Sequence, residues 1–289
     1  MEIFAPLLQS LVSGLTNGAI YALIALGFGI IYNATTIINF AQGEMVMLGA
    51  LCAISIYHLQ PSLPLAFLGG VGVVTMVGLT FERLALRPVK DPNPITLIII
   101  TVGGAVFIKG VAMLLWGKEA YPLPSFSGDV PLHLGPATVL PQNLWVVGLT
   151  ALLVLALEAF FRLTLVGKAM RACAYNSRAA RLVGIAAGRM VQLSFGLSAA
   201  LGAGAGILIA PLTLGVYDMG TMLGLKGFSA AIIGGLGSSL GGVLGGLLLG
   251  VVEALASGYI SSGYRDAVAF LLLLVVLFLR PQGLLGGQK

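Results

Sequence analysis

Leu11-Val-Ser-Gly-Leu-Thr-Asn-Gly-Ala-Ile-Tyr-Ala-Leu-Ile-Ala-Leu-Gly-Phe-Gly-Ile-Ile-Tyr32 runs without a single charge. Coiled into a helix at ~1.5 Å per residue, a stretch of this length matches a bilayer core of ~30 Å. Apolar stretches of similar length recur at Ile37 to Tyr57, Leu63 to Phe81, Ile95 to Trp116, Asn143 to Phe161 and Met190 to Pro211, with Glu44, Lys109 and Glu158 as single charges in the second, fourth and fifth spans. Ala267 to Leu279 is shorter but crosses with its flanks, whereas Phe228 to Ile260 is too long and too glycine-rich for one simple span. The composition agrees. Of 289 residues, 58% are hydrophobic and only 9% charged, against ~25% charged in a soluble domain, and the mean hydropathy is +1.04. Soluble enzymes, disordered chains and disulfide-rich secreted domains are excluded. The fold class is all-α: one polytopic transmembrane helix bundle over residues 1–289. Its 41 glycines suit close helix packing in a membrane.

The net charge of +5 does not signify nucleic-acid binding, because the cations sit in short segments between apolar stretches and so report orientation. Eleven of the fifteen fall in three places: Arg83, Arg87 and Lys90; Arg162, Lys168, Arg171, Arg178, Arg181 and Arg189; and Arg280 with Lys289. Placing all three in the cytoplasm leaves residues 117–142, a Pro-rich loop (Pro122, Pro124, Pro131, Pro136, Pro141), outside, together with the N-terminus. The C-terminus is then inside, so an odd number of crossings must follow the sixth span. Leu223 to Leu236 descending, a turn at Gly237 to Gly241, and Gly242 to Ile260 ascending satisfy that parity. The bundle then has about eight or nine membrane segments, including a broken or half-length helix around Gly215 to Gly235. Broken helices are a common way to build a transport site. With Glu2 the only charge before Glu44, the first stretch reads as a retained helix rather than a cleaved leader.

Small residues recur every four positions at Gly14, Gly18 and Ala22, at Ser198, Gly202, Gly206 and Ala210, and at Gly237, Gly241 and Gly245 beside Gly242, Gly246 and Gly250. Such stripes let backbones approach, either within the bundle or against a partner or moving interface. Ionisable groups within the apolar runs are costly and mark function by default. Glu44 lies ~10 Å into the second span, and Glu253 lies inside Val251 to Ala256. Asn17 and Tyr21 share a face of the first helix, and Asn39 and Gln42 stand at the entry to the second. Together these six residues are candidates for one polar substrate pathway, with structural bridging as the other reading for Glu44 and Glu253, and helix capping for Asn39. Lys109 and Glu158 are read as snorkelling near span ends.

The segment 162–189 carries six cations and no acid. As a single helix it would set Lys168, Arg171, Arg178 and Arg181 on one arc. No Gly-xxxx-Gly-Lys-Ser/Thr phosphate loop occurs, so ATP hydrolysis is expected elsewhere. Two histidines and the cysteines Cys52 and Cys173 form no metal cluster, no triad is visible, and no cofactor is expected.

The stretch Gly14 to Gly27 followed by Ile38-Asn-Phe-Ala-Gln-Gly-Glu44 resembles the opening of the LivH-type permeases, membrane subunits of ABC importers for branched-chain amino acids. Arg171-Ala-Cys-Ala174 through Ala180-Arg-Leu-Val-Gly-Ile185, Phe228 to Ser238, Glu253-Ala-Leu and Pro281 to Gly286 resemble the same family over nearly the whole chain. The resemblance implies a bacterial inner-membrane permease with a second, non-identical permease subunit, two cytoplasmic ATPase subunits, a periplasmic solute-binding protein, an amino-acid substrate and surrounding lipid. It implies that residues 162–189 form the coupling loop, with Lys168, Arg171, Arg178 and Arg181 as docking residues and Ala172, Ala180 and Gly184 giving close approach. The rival readings are a urea or short-amide permease of the same family, an ion-coupled secondary transporter using Glu44, Asp218 and Glu253, and a passive channel.

Overall fold

The computed structural model describes residues 4–89, 93–134 and 137–286; Glu2, Lys90, Pro136 and Lys289 lie outside them. The helices are α1 (Phe4–Thr35), α2 (Gln42–Leu59), α3 (Leu63–Phe81, continued by a π-helical turn at Glu82–Leu86), α4 (Pro94–Trp116) and α5 (Pro141–Leu163). They continue with α6 (Leu165–Tyr175), α7 (Ser177–Leu182), α8 (Ala187–Thr213), α9 (Met219–Gly234), α10 (Ser239–Tyr259) and α11 (Arg265–Leu279). Seven helical stretches among the described residues are long and apolar enough to cross a bilayer. The 18-residue α2 and the 16-residue α9 bring the bundle to nine segments. The sequence-derived spans are found within a few residues of their expected ends, except that the first helix starts at Phe4 rather than Leu11 and the second at Gln42 rather than Ile37. A two-stranded antiparallel hairpin, β1 (Leu132–Leu134) with β2 (Ala137–Val139), lies in the Pro-rich connection that the sequence presents only as a loop.

Burial follows a simple plan. α1 and α8 are enclosed on nearly all sides, while α4, α5 and α11 lie at the periphery and present Leu, Val, Ile and Phe outward. Outward apolar faces are what lipid requires, since no hydrophobic force drives these surfaces inward in a bilayer.

Long-range hydrogen bonds sort the ends of the bundle. At one end the Thr138 amide donates to Gln9 Oε1 at 3.0 Å, and Tyr121 and Gly215 exchange backbone bonds of 3.0 and 2.8 Å. At the other end Asn33 Nδ2 donates to the Gly237 carbonyl at 2.8 Å. There the tail also folds back, with the Leu284 and Leu285 amides bonding the Ile233 and Gly234 carbonyls at 2.8 and 3.0 Å. Three passes therefore follow α8, as the parity argument requires: α9 away from the hairpin end, α10 back, and α11 away again.

The small-residue stripes are consumed inside the chain. Gly14 and Gly18 of α1 oppose Gly246 and Gly250 of α10 so closely that a Cβ on Gly18 would sit 2.8 Å from Leu247 Cα, and one on Gly246 would sit 2.5 Å from the Ala22 nitrogen. Gly241 and Gly245 face Gly234 and Ala230 of α9, and Gly202 and Gly206 of α8 face Gln42, Met45 and Val46 of α2. The second reading of these stripes, a surface for a partner subunit, does not describe where they point. Overpacking of a close contact costs ~1–3 kcal/mol. Gly250→Ala is therefore expected to lower the midpoint of thermal unfolding in detergent, whereas Gly110→Ala on α4, with open space around its Cβ position, leaves it unchanged or raised. Equal midpoints would show that α1 and α10 yield freely.

Candidate functional site

The chain leaves α1 at Thr35 and turns back into the bundle before α2 begins. Thr36 adopts a left-handed φ of 59°. Gln42 then reaches the level of Gly27, eight residues short of the α1 terminus, or ~12 Å along the axis. Residues 36–41 are thus irregular backbone at membrane depth, which is tolerated only where protein satisfies it. Thr101 of α4 does so: its hydroxyl accepts the Phe40 amide at 3.2 Å and reaches the Ile38 carbonyl at 3.4 Å. Asn39 Oδ1 accepts the Ala41 amide at 3.2 Å, and the Asn39 carbonyl accepts the Gln42 amide. Asn39 therefore organises the turn ahead of α2 without being its terminal cap. Gln42 is wholly buried; its Nε2 donates to the Ser198 carbonyl at 2.9 Å, and its Oε1 accepts from the Ser198 hydroxyl at 2.6 Å.

α9 also begins inside the bundle, and the first turns of α2 and α9 touch through Gly43, Gly220 and Gly224. Beside this contact lies a cavity of about 270 Å³. Glu44, Lys109 and Thr221 line it, with Phe28, Phe40 and Phe228 as an aromatic wall in which both Phe28 and Phe40 stand 5.6 Å from the Phe228 ring. Lys109 Nζ donates to Thr221 Oγ1 at 3.2 Å, and Thr221 Oγ1 donates to Glu44 Oε1 at 3.4 Å. Lys109 is not a snorkelling group at a span end. It sits well inside α4, next to the Tyr217 ring.

Glu253 belongs to a different cluster. Its Oε1 accepts from Lys226 Nζ of α9 at 2.8 Å and also from Arg265 Nε, while Lys226 makes a second ion pair of 2.6 Å with Asp266. The Tyr21 ring lies 5.9 Å from Lys226 Nζ. Two cations and two carboxylates thus pin α9 to α10 and α11 beside α1. The expectation of one polar cavity is corrected: Glu44 lines the cavity, Asn39 and Gln42 order the entry to α2 without lining it, and Tyr21 and Glu253 sit in the ionic cluster. Asn17 is half-buried on α1 and is not among the residues lining the Glu44 cavity. Sequence reasoning missed Lys226, Arg265, Asp266 and Thr221. The available signal was a lone cation and a lone anion, Lys226 and Glu253, in separate apolar runs: each costly alone, they are tolerable as a pair.

The basic segment is not one helix. Asn176 breaks it with an extended backbone and caps α7, its Oδ1 accepting the Arg178 and Ala179 amides at 3.0 Å. Gly184, at φ 84°, closes α7: its amide bonds the Arg181 carbonyl and the Ile185 amide bonds the Ala180 carbonyl, the paired bonds of a Schellman motif. The single arc of four cations is therefore replaced by two short faces. Lys168, Arg171, Arg178 and Arg181 are all exposed, as is Ala172, but Ala180 is buried within the chain and is not open to a docking partner. Among the described residues no group of three His, Cys, Asp or Glu side chains is placed to hold a metal ion.

A bundle with two helices starting inside it, around buried ionisable groups, defines a membrane transport subunit. The model of the family described as "Branched-chain amino acid transport system / permease component" matches residues 10–277, and the chain belongs to that family. The LivH high-affinity branched-chain amino acid permease of Salmonella typhimurium is 36% identical, over 100% of this chain and 98% of its own length. The BraD permease of Pseudomonas aeruginosa is 35% identical over 98% and 96%. More distant is the YtfT galactofuranose transporter permease of Escherichia coli, 29% identical over 93% and 78%. The chain is the permease subunit of an ABC importer, a transport protein rather than an enzyme, and ATP hydrolysis belongs to separate subunits.

Removing one member of a buried ion pair costs ~3–5 kcal/mol because its partner stays charged. Glu253→Gln is accordingly expected to destabilise the folded subunit sharply in detergent denaturation. Lys226→Met combined with Glu253→Gln, which leaves the Arg265 and Asp266 charges balanced, recovers most of the loss. A double variant no more stable than the single one would show that the cluster is not held by charge balance.

Proposed function

We propose that this subunit carries branched-chain amino acids across the bacterial inner membrane, paired with a second, non-identical permease. Two cytoplasmic ATPases dock on residues 162–189, and a periplasmic binding protein delivers solute to the end bearing residues 117–142. In this reading the N-terminus lies outside and the C-terminus in the cytoplasm. The names of the LivH and BraD relatives support the solute.

The observation that carries the docking assignment is the surface of α6 and α7. Exposed Lys168, Arg171, Arg178 and Arg181 alternate there with Leu165, Tyr175, Leu182 and Val183, each more than three-quarters exposed. Large apolar side chains among like charges mark a protein interaction site rather than a solvated face. The segment is stiff enough to transmit a push. Thr164 caps α6 by accepting the Gly167 amide at 3.0 Å, and a Cβ on Gly167 would lie 2.6 Å from Phe161 Cα, so α6 is seated directly on the end of α5. Asn33, Glu158, Arg171 and Gly237 line one cavity, so this seat lies beside the end of α1 and the turn that follows α9, and Asn33 bonds that turn directly. Closure of the ATPases would reach the half-length helix by that route.

The test is reconstitution with the cognate ATPases, second permease and binding protein in liposomes. Wild type recruits the ATPase and accumulates labelled leucine with ATP. Arg171→Glu with Arg178→Glu loses both recruitment and uptake while eluting as a folded subunit. Uptake that follows an ion gradient without ATPase would sink the reading.

A further inference from the structure

We propose that the cavity between α2, α4 and α9 is the transit site for an apolar α-amino acid, which it grips by both charged groups of the zwitterion. This deepens the importer reading above and rests on it. Glu44 lines the cavity and is 4% exposed; among the described residues its Oε2, packed against Gly220, has no hydrogen-bond partner, and a rotation of the carboxylate turns that oxygen toward the cavity. An unpartnered carboxylate oxygen in a low-dielectric site is expensive, and an ammonium group is its natural complement. Among the described residues Lys109 is the only cation lining the cavity, and Thr221 bridges it to the other oxygen of Glu44.

The two charges therefore stand one hydroxyl apart, a separation suited to the carboxylate and ammonium of one α-carbon. The substrate ammonium takes Glu44 Oε2. The substrate carboxylate takes Lys109 Nζ and the Thr221 hydroxyl, at the positive end of the α9 dipole. Gly220 keeps the position open, since a Cβ there would fall 3.0 Å from Glu44 Oε2. Phe28, Phe40 and Phe228 then meet the side chain.

Charge balance narrows the class. Within the lining Glu44 and Lys109 cancel, with Asp218 outside it at the start of α9, so a net-neutral zwitterion leaves the lining neutral, whereas a lysine or glutamate substrate would add a net charge at membrane depth. The volume of about 270 Å³ falls below the ~300–1,000 Å³ of drug-sized ligand sites, which fits a single amino acid.

The complete transporter in liposomes tests this with Glu44→Gln, Thr221→Val and Thr221→Ser. The first two are expected to lower leucine moved per ATP by about tenfold, equivalent to ~1.4 kcal/mol. Thr221→Ser restores transport. A second readout is independent of turnover. In a Cys52→Ala, Cys173→Ala background, leucine is expected to slow alkylation of Thr221→Cys by N-ethylmaleimide, while lysine and urea leave the rate unchanged. Unchanged leucine per ATP in both variants, or equal alkylation with and without leucine, overturns the site while the importer reading stands. Protection by urea equal to that by leucine overturns the zwitterion. A wild-type transporter that moves no leucine overturns both.

Discussion

The rest of the bundle depends on the backbone contact between α1 and α10. In a bilayer, helices gain little from hiding apolar side chains, so association relies on van der Waals contact and on hydrogen bonds between close backbones. Gly14 and Gly18 on one helix and Gly246 and Gly250 on the other bring the two backbones into direct contact, with only small side chains such as Ala25 and Ala254 beside them. With α1 fixed against α10, the core is defined from its first element. α8 and α9 then pack on the remaining faces of α1, and α2 fits between α8 and α9 through Gly206, Gly43 and Gly220.

That close packing makes the interior polar groups affordable. α2 and α9 both start inside the bundle, and each start leaves amides and carbonyls that lipid could not satisfy. The Thr101 hydroxyl, the Asn39 amide and the Gln42–Ser198 pair supply partners around α2. Lys226 and Glu253 hold α9 from the side through a buried pair that also recruits Arg265 and Asp266. The two polar systems differ in kind. The α9–α10–α11 cluster balances two cations against two carboxylates within the packed helices, whereas Glu44 and Lys109 face each other across a cavity; each system leaves one carboxylate oxygen, Glu253 Oε2 and Glu44 Oε2, without a partner among the described residues.

Most of the architecture was legible because a bilayer forces it into composition. Leu63, Phe81 and Trp116 are found as the helix ends their hydropathy implies, and the parity of the cation-rich segments exposed a half-length helix after α8. The start of α2 was only partly legible: Asn39 offered a cap within Ile37 to Ala41, but the helix begins beyond it, at Gln42. Its irregular path is set by a bond to Thr101 on a distant helix and by the φ of Thr36. The division of the polar residues was hidden for the same reason. Glu44 finds Lys109 and Thr221, and Glu253 finds Lys226, across gaps in sequence that no periodicity reports. Asn176 and Gly184 carry the local chemistry of a cap and a stop. Together they explain why a segment that reads as one basic arc is two short helices.

The tail that follows α11 has a bearing on how the subunit can be handled. Leu284 and Leu285 bond the carbonyls at the C-terminal end of α9, and Gly283 is held against Gly235 too tightly for a Cβ. The last described turn of the chain is thus a lid on the very helix whose other end meets Glu44. Shortening the chain before Pro281, or attaching a bulky reporter there, would uncap α9 as surely as a substitution in its sequence.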